Sequence, residues 1–172
     1  AGVDRLNISL DTLRPERFRA ITRLGALSDV LRGIEAAQAA GFARLKLNCV
    51  LLGGVNEDEI ADFVELTRQR PWQIRFIERM PMGVGADYGS RLSAQMVLEK
   101  CPALKKVGDE GVASLYRLPD GRGTVGLITP LSHEFCGACS RIRITADGRL
   151  KPCLHSDAEI ALRGLSDAEL EQ

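Results

Sequence analysis

The chain has no surplus of charge of either sign: 23 lysines and arginines stand against 23 aspartates and glutamates, a formal net charge of +0 at pH 7. A surface without a one-signed field argues against a general nucleic-acid or membrane-surface binder, so any basic cluster is a local device. No apolar run approaches the ~20 residues of a membrane span, and no signal-peptide pattern opens the chain. Low-complexity tracts and internal repeats are missing as well, apart from the strand–helix rhythm described next. An odd number of cysteines, five, without secretory features indicates a reducing compartment, where clustered thiols serve metal or redox chemistry more often than disulfides. The expected location is therefore cytoplasmic, with neither nucleic acid nor membrane as partner. What is present is 172 residues, 45% of them hydrophobic, enough for a real core.

Both ends look cut. Ala1 is no initiator methionine, AGVDRLNISLD starts at the edge of a strand pattern, and LSDAELEQ stops inside an apparent helix. The expectation is a piece of a longer protein. From Val3 to Leu10, Leu6, Ile8 and Leu10 alternate with Asn7, Ser9 and Asp11, the period of a strand. Pro15 suits the first turn of a helix in RPERFRAITR, and Leu27 to Ala40 carries an apolar stripe through Val30, Leu31, Ile34 and Ala37 before Gly41. A second strand is predicted at about Arg44 to Leu52. Asn56 and Glu59 read as a capping-box start for a helix through Ile60, Phe63, Val64 and Thr67, and a third strand follows at about Trp72 to Glu78. Such alternation predicts part of a parallel α/β sheet or barrel, and three units cannot close an eight-stranded one. The glycine-rich RMPMGVGADYGS, residues 79 to 90, follows a strand's carboxyl end, where α/β folds build their sites. Beyond it come a short helix near Ser93 to Lys100 and strand-like pieces at Ser114 to Leu118 and Gly123 to Ile128. A boundary is expected at about residue 90, between an α/β part (1–90) and a C-terminal extension (91–172).

Helices cover the outside of an α/β barrel, so the polar side of each strand must look into the lumen. In RLKLNCVLL, Leu47, Cys49 and Leu51 share one face, while Lys46, Asn48 and Val50 share the other. Cys49 is most simply a buried core thiol. Lys46 on an inward face needs an anionic partner or a wet cavity, unless it snorkels to water from a strand end. Arg75, alternating with Ile74 and Phe76, raises the same question. With Asn7, Ser9 and Asp11 on the first strand, these residues outline a polar, partly cationic lumen suited to a small anionic ligand.

Three cysteines fall in FCGACSRIRITADGRLKPCL, as C-x2-C-x13-C: Cys136, Cys139 and Cys153. A CxxC turn brings two sulfurs to one point, and Asp147-Gly148 is a turn signal able to return Cys153 to it as a hairpin. Spacing alone leaves the metal open. Zinc would draw a fourth ligand from His155 or His133, whereas an iron-sulfur cubane bound by three cysteines keeps one iron open for a small molecule. Arg141 and Arg143, two apart, would point to one side of a strand, and a forked pair of guanidiniums recognises phosphate. Cys101, in LEKCPAL, is assigned only to packing.

The runs VDRLNISLDTL, RLKLNCVLLGGVNEDEI, IRFIERMPMG and FCGACSRIRITADGRLKPCL, in this order, closely resemble the GTP 3′,8-cyclase family, the radical S-adenosylmethionine enzymes of the first step of molybdenum cofactor biosynthesis. The resemblance covers nearly the whole chain and is weakest at about residues 91 to 125. It implies an incomplete TIM-type (radical SAM) barrel, followed by a C-terminal extension that binds an auxiliary [4Fe-4S] cluster. An N-terminal cluster, in a CxxxCxxC loop, cleaves S-adenosylmethionine to a 5′-deoxyadenosyl radical. That radical takes the ribose 3′ hydrogen of GTP, and the sugar radical attacks guanine C8. The C-terminal cluster, on positions matching Cys136, Cys139 and Cys153, holds the guanine through its open iron. Lys46, Arg141 and Arg143 fall where the family contacts GTP, with Arg75 a further candidate near the phosphates. Ser9 and Met80 fall at S-adenosylmethionine positions, and family members are homodimers.

The sequence departs from the family in one large respect: it contains no CxxxCxxC, and the double-glycine tail of the family is missing too. The chain is expected to be the substrate-binding half of such an enzyme and inactive alone. Two rivals stand beside this reading, a zinc-stapled structural module and another radical S-adenosylmethionine enzyme with an auxiliary cluster.

Overall fold

The structure, a computed structural model, describes residues 2–42, 44–81, 88–132, 142–153, 156 and 158–164. It comprises two compact units, Ala1–Glu134 and Phe135–Gln172.

The first unit opens with strand β1 (Leu6–Ser9), helices α1 (Pro15–Thr22) and α2 (Leu27–Ala39), and strand β2 (Leu45–Leu51). A 3-10 turn at Glu57–Glu59 leads into helix α3 (Ile60–Gln69), then strand β3 (Gln73–Glu78) and helix α4 (Gln95–Lys100). Strands β4 (Lys105–Glu110), β5 (Ala113–Arg117) and β6 (Thr124–Ile128) complete it. The six strands form one sheet in the order β1-β2-β3-β6-β5-β4. β1, β2, β3 and β6 are parallel neighbours, and β5 and β4 add antiparallel to the edge. The sheet thus runs on past residue 90, because β6 pairs directly with β3.

Alternation decides which face of this sheet is dry. On β2, Leu45, Leu47, Cys49 and Leu51 are buried, and on β3 so are Ile74 and Phe76; Val125 and Leu127 continue the layer on β6. Phe18, Leu27, Ile34, Ile60, Phe63 and Val64 of the helices pack on that face, with Phe63 meeting Phe76 edge to face at 6.1 Å between ring centroids. Cys49 is the expected core thiol, and burial pushes its pKa well up. Cys101 packs against the same core. Of the predicted α2 stripe, Leu31 is exposed while Ile34 is buried.

The capping box expected at Asn56 and Glu59 does not form. Neither side chain caps the helix; both are buried and reach across to the loop after β1. The Asn56 amide donates to Asp11 O and Val50 O, both at 2.8 Å, and its Oδ1 accepts from Leu52 N at 2.9 Å. Glu59 accepts from Thr12 Oγ1 at 2.7 Å, from Leu13 N at 2.6 Å and from the Arg17 guanidinium. These two residues satisfy backbone groups left over where β1 and β2 end, which holds the carboxyl ends of both strands together.

The second unit contains a three-stranded antiparallel sheet, β7 (Arg143–Ile144), β8 (Arg149–Lys151) and β9 (Ile160–Ala161), in that order. The predicted hairpin turn is present: Gly148 has φ 82°, a conformation that favours glycine, and donates to Thr145 O at 3.0 Å. Among the described residues, no helix is long and apolar enough to cross a membrane.

Candidate functional site

The register of the sheet gathers the polar residues of neighbouring strands into rows. Asn7, Lys46, Gln73 and Thr124 lie side by side, and the next row is Ser9, Asn48, Arg75 and Gly126. In-register neighbours point to the same face. Ser9, Lys46 and Arg75, each singled out in the sequence, therefore share the face opposite the helix-packed core. Gly126 leaves room beside Arg75: a Cβ there would press on Arg75 Cγ at 3.3 Å.

The anionic partner demanded by an inward lysine comes from within the chain. Glu110, at the end of β4, accepts from Lys46 Nζ at 2.6 Å, from Gln73 Nε2 at 2.9 Å and from the Arg75 guanidinium at 3.3 Å. Arg75 Nε also donates to Gln73 Oε1 at 2.6 Å. The Lys46 ammonium foremost, then the Gln73 amide, brings the Glu110 pKa from 4.5 down to about 2. Sequence reasoning missed this residue because KKVGDE holds a single large apolar side chain, Val107, so β4 gives no alternation to read. A pH dependence follows. A depressed carboxylate contributes stability that is fully present above pH 4.5 and is lost as the pH falls toward about 2. After solvent screening the contribution is about 1 kcal/mol or less. Glu110→Gln is expected to flatten urea-denaturation stability between those pH values and to leave its slope above pH 5 unchanged.

At the carboxyl ends of the parallel strands lies a cavity of about 630 Å³, lined among others by Asp11, Val50, Ile77, Glu78, Met80 and Tyr88. Strand ends are where α/β folds hold ligands. Met80 thus sits on a cavity wall. Asp11 accepts from Val50 N at 2.8 Å, and burial raises its pKa against that hydrogen bond. Glu78 is buried; desolvation pushes its pKa up, but hydrogen bonds from the Ser132 hydroxyl and from the Ala94, Ser132 and Leu131 N–H groups more than offset this. Through those bonds Glu78 ties the end of β3 to the start of α4 and to residues 131 and 132.

In the second unit, Arg143 lies on β7, exposed and opposite Lys151. Cys153 follows β8, the returning strand of the hairpin, by two residues and is exposed. Cys136, Cys139 and Arg141, with His133 and His155, lie outside the described residues. Among the described residues no group of three or more His, Cys, Asp or Glu side chains could hold a metal ion. A donor set of three thiols suits a soft metal, zinc or an iron-sulfur cluster alike.

Residues 72–172, more than half of the chain, match the family described as Molybdenum Cofactor Synthesis C. The chain belongs to that family. Residues 1–67 match the Radical SAM superfamily, and the parallel strands β1 to β3 with their helices are the α/β architecture expected of part of such a barrel. Among curated proteins, the chain is 52% identical over 175 residues to a GTP 3′,8-cyclase of Heliobacterium modesticaldum, covering 95% of the chain and 53% of that protein. A GTP 3′,8-cyclase of Peptoclostridium acidaminophilum is 50% identical over 95% of the chain and 52% of its own length. One from Alkaliphilus metalliredigens is 48% identical over 100% of the chain and 55% of its own. The chain spans about half the length of the curated relatives it matches.

Proposed function

We propose that this chain is the substrate-binding part of a GTP 3′,8-cyclase, a radical S-adenosylmethionine lyase that converts GTP to (8S)-3′,8-cyclo-7,8-dihydroguanosine 5′-triphosphate in molybdenum cofactor biosynthesis. The observation that carries this reading is the convergence of Lys46 and Arg75 on one carboxylate from neighbouring strands, an anion site on the polar face of the sheet. In this reading the phosphates of GTP take that place, with Arg141 and Arg143 as a second fork. Ser9 and Met80 contact S-adenosylmethionine. Cys136, Cys139 and Cys153 hold a [4Fe-4S] cluster, which when bound supplies an iron with an open position for the guanine. A second cluster, on a CxxxCxxC segment that this sequence does not contain, belongs to the same active site. The chain alone is then inactive, and the full-length protein is a cytoplasmic homodimer. The division at about residue 90 belongs to this reading too: residues 91–172 form the extension, whose β4 to β6 join the barrel sheet.

The test is iron, sulfide and zinc content after anaerobic reconstitution, followed by a spectral titration with GTP. About four irons and four sulfides per three-cysteine site, with a GTP-dependent change in the cluster signal, are expected. One tightly held zinc and no response to GTP would make the cysteines a structural staple. Arg141→Ala with Arg143→Ala should leave iron content unchanged and weaken GTP about tenfold or more, since hydrogen bonds to charged groups contribute roughly 1.5–3 kcal/mol each. Unchanged affinity would remove the two arginines from the phosphate site.

A further inference from the structure

The two sides of the Lys46–Glu110–Arg75 contact are held with very different firmness. Lys46 and Arg75 stand on the inner strands β2 and β3 with 13% and 17% of their side chains exposed. Arg75 is held further by its Nε, which donates to the side-chain Oε1 of Gln73 at 2.6 Å. Glu110 is 43% exposed and sits on β4, the edge strand, which pairs with β5 alone. Its strand carries a register irregularity between Lys106 and Gly108, and it is followed by Gly111 at φ 58°. The carboxylate can swing toward solvent at the cost of its own ion pairs, while the cations stay. One carboxylate against two cations also leaves a positive charge unmatched. A polyphosphate brings more charge and more acceptor oxygens than Glu110 can, and an uncharged ligand brings neither.

We propose that Glu110 is an internal competitor for phosphate: it occupies the Lys46–Arg75 site in the unliganded protein, must be displaced by a polyphosphate ligand, and so sets the affinity for it. The proposal rests on the reading that Lys46 and Arg75 receive substrate phosphates. A charge-assisted contact of this kind keeps two like charges from repelling each other in the empty site, which is why the chain would retain a residue that opposes its own ligand.

Equilibrium dialysis on the full-length protein, with GTP, inorganic triphosphate and guanosine as separate probes, tests it. Glu110→Gln is expected to tighten GTP and triphosphate by about threefold to thirtyfold, the range left for a charge-assisted contact after solvent screening. Guanosine, which displaces nothing, should bind as before. Glu110→Ala should shift both phosphate probes in the same direction, which separates loss of the charge from any contact made by the new amide. If both variants bind triphosphate no better than the parent, the competitor role is wrong and Glu110 merely positions the cations. Lys46→Ala and Arg75→Ala keep the underlying reading apart. Weakened triphosphate binding in these two supports the site whatever the Glu110 variants do; unchanged binding in both would place the phosphates elsewhere and overturn the site and the proposal together.

Discussion

If Cys136, Cys139 and Cys153 hold the proposed cluster, Cys153→Ser in the full-length protein is expected to abolish it and, with it, the proposed cyclase activity. A cubane held by three thiolates has no spare ligand, and serine offers a poorly matched hard donor in place of a soft one. The expected result is a fall of about four irons per chain after reconstitution, with the remaining cluster signal unresponsive to GTP. The substitution should leave the first unit intact, because Cys153 is exposed and belongs to the second unit. Thermal melts of parent and variant are therefore expected to share the main transition. Retention of iron would mean that another donor closes the site, and Cys153 would then be only the end of a hairpin.

Glu59→Ala should clearly destabilise the fold. Glu59 has no exposed surface, and its carboxylate accepts from the buried Thr12 hydroxyl, from Leu13 N and from Arg17. Alanine strands the Thr12 and Leu13 donors beside a cavity, while Arg17 keeps its contacts to Asp58. Leaving a buried donor unsatisfied costs about 1–3 kcal/mol, a large share of the roughly 5–15 kcal/mol that holds a domain folded. A lower urea midpoint with an unchanged slope is the expected signature. Glu59→Gln should cost less, because an amide oxygen can still accept from Thr12 or Leu13. A loss below about 1 kcal/mol for the alanine variant would show that the network is incidental.

The same residue shows how a local pattern can mislead. Asn56 and Glu59 have the spacing of a capping box, and local rules alone assign both side chains to the start of α3. Tertiary structure offers stronger demands: the backbone of Asp11, Val50 and Leu13 would be buried unpaired where the strands end, and Asn56 and Glu59 meet those demands instead. The faces of β2 and β3 were legible because one side of each strand is fully dry, so a period of two had to appear in the residues. β4 had no such imprint. An edge strand with Lys105, Lys106, Asp109 and Glu110 in six residues follows the rule that exposed edges carry charge, which hides them from a search for apolar alternation.

From the residues alone came the α/β alternation, the dry and polar faces of the inner strands, the inward cations Lys46 and Arg75, the hairpin turn at Gly148, and the family. Each depends on chemistry within a short stretch: a period, a turn residue, a spacing of thiols. Tertiary structure alone decided what those cations meet, because Glu110 is 64 residues from Lys46 and joins it only through the strand order β3-β6-β5-β4. A charge on an inward face announces that a partner is needed; only the folded sheet determines which carboxylate is close enough to be one.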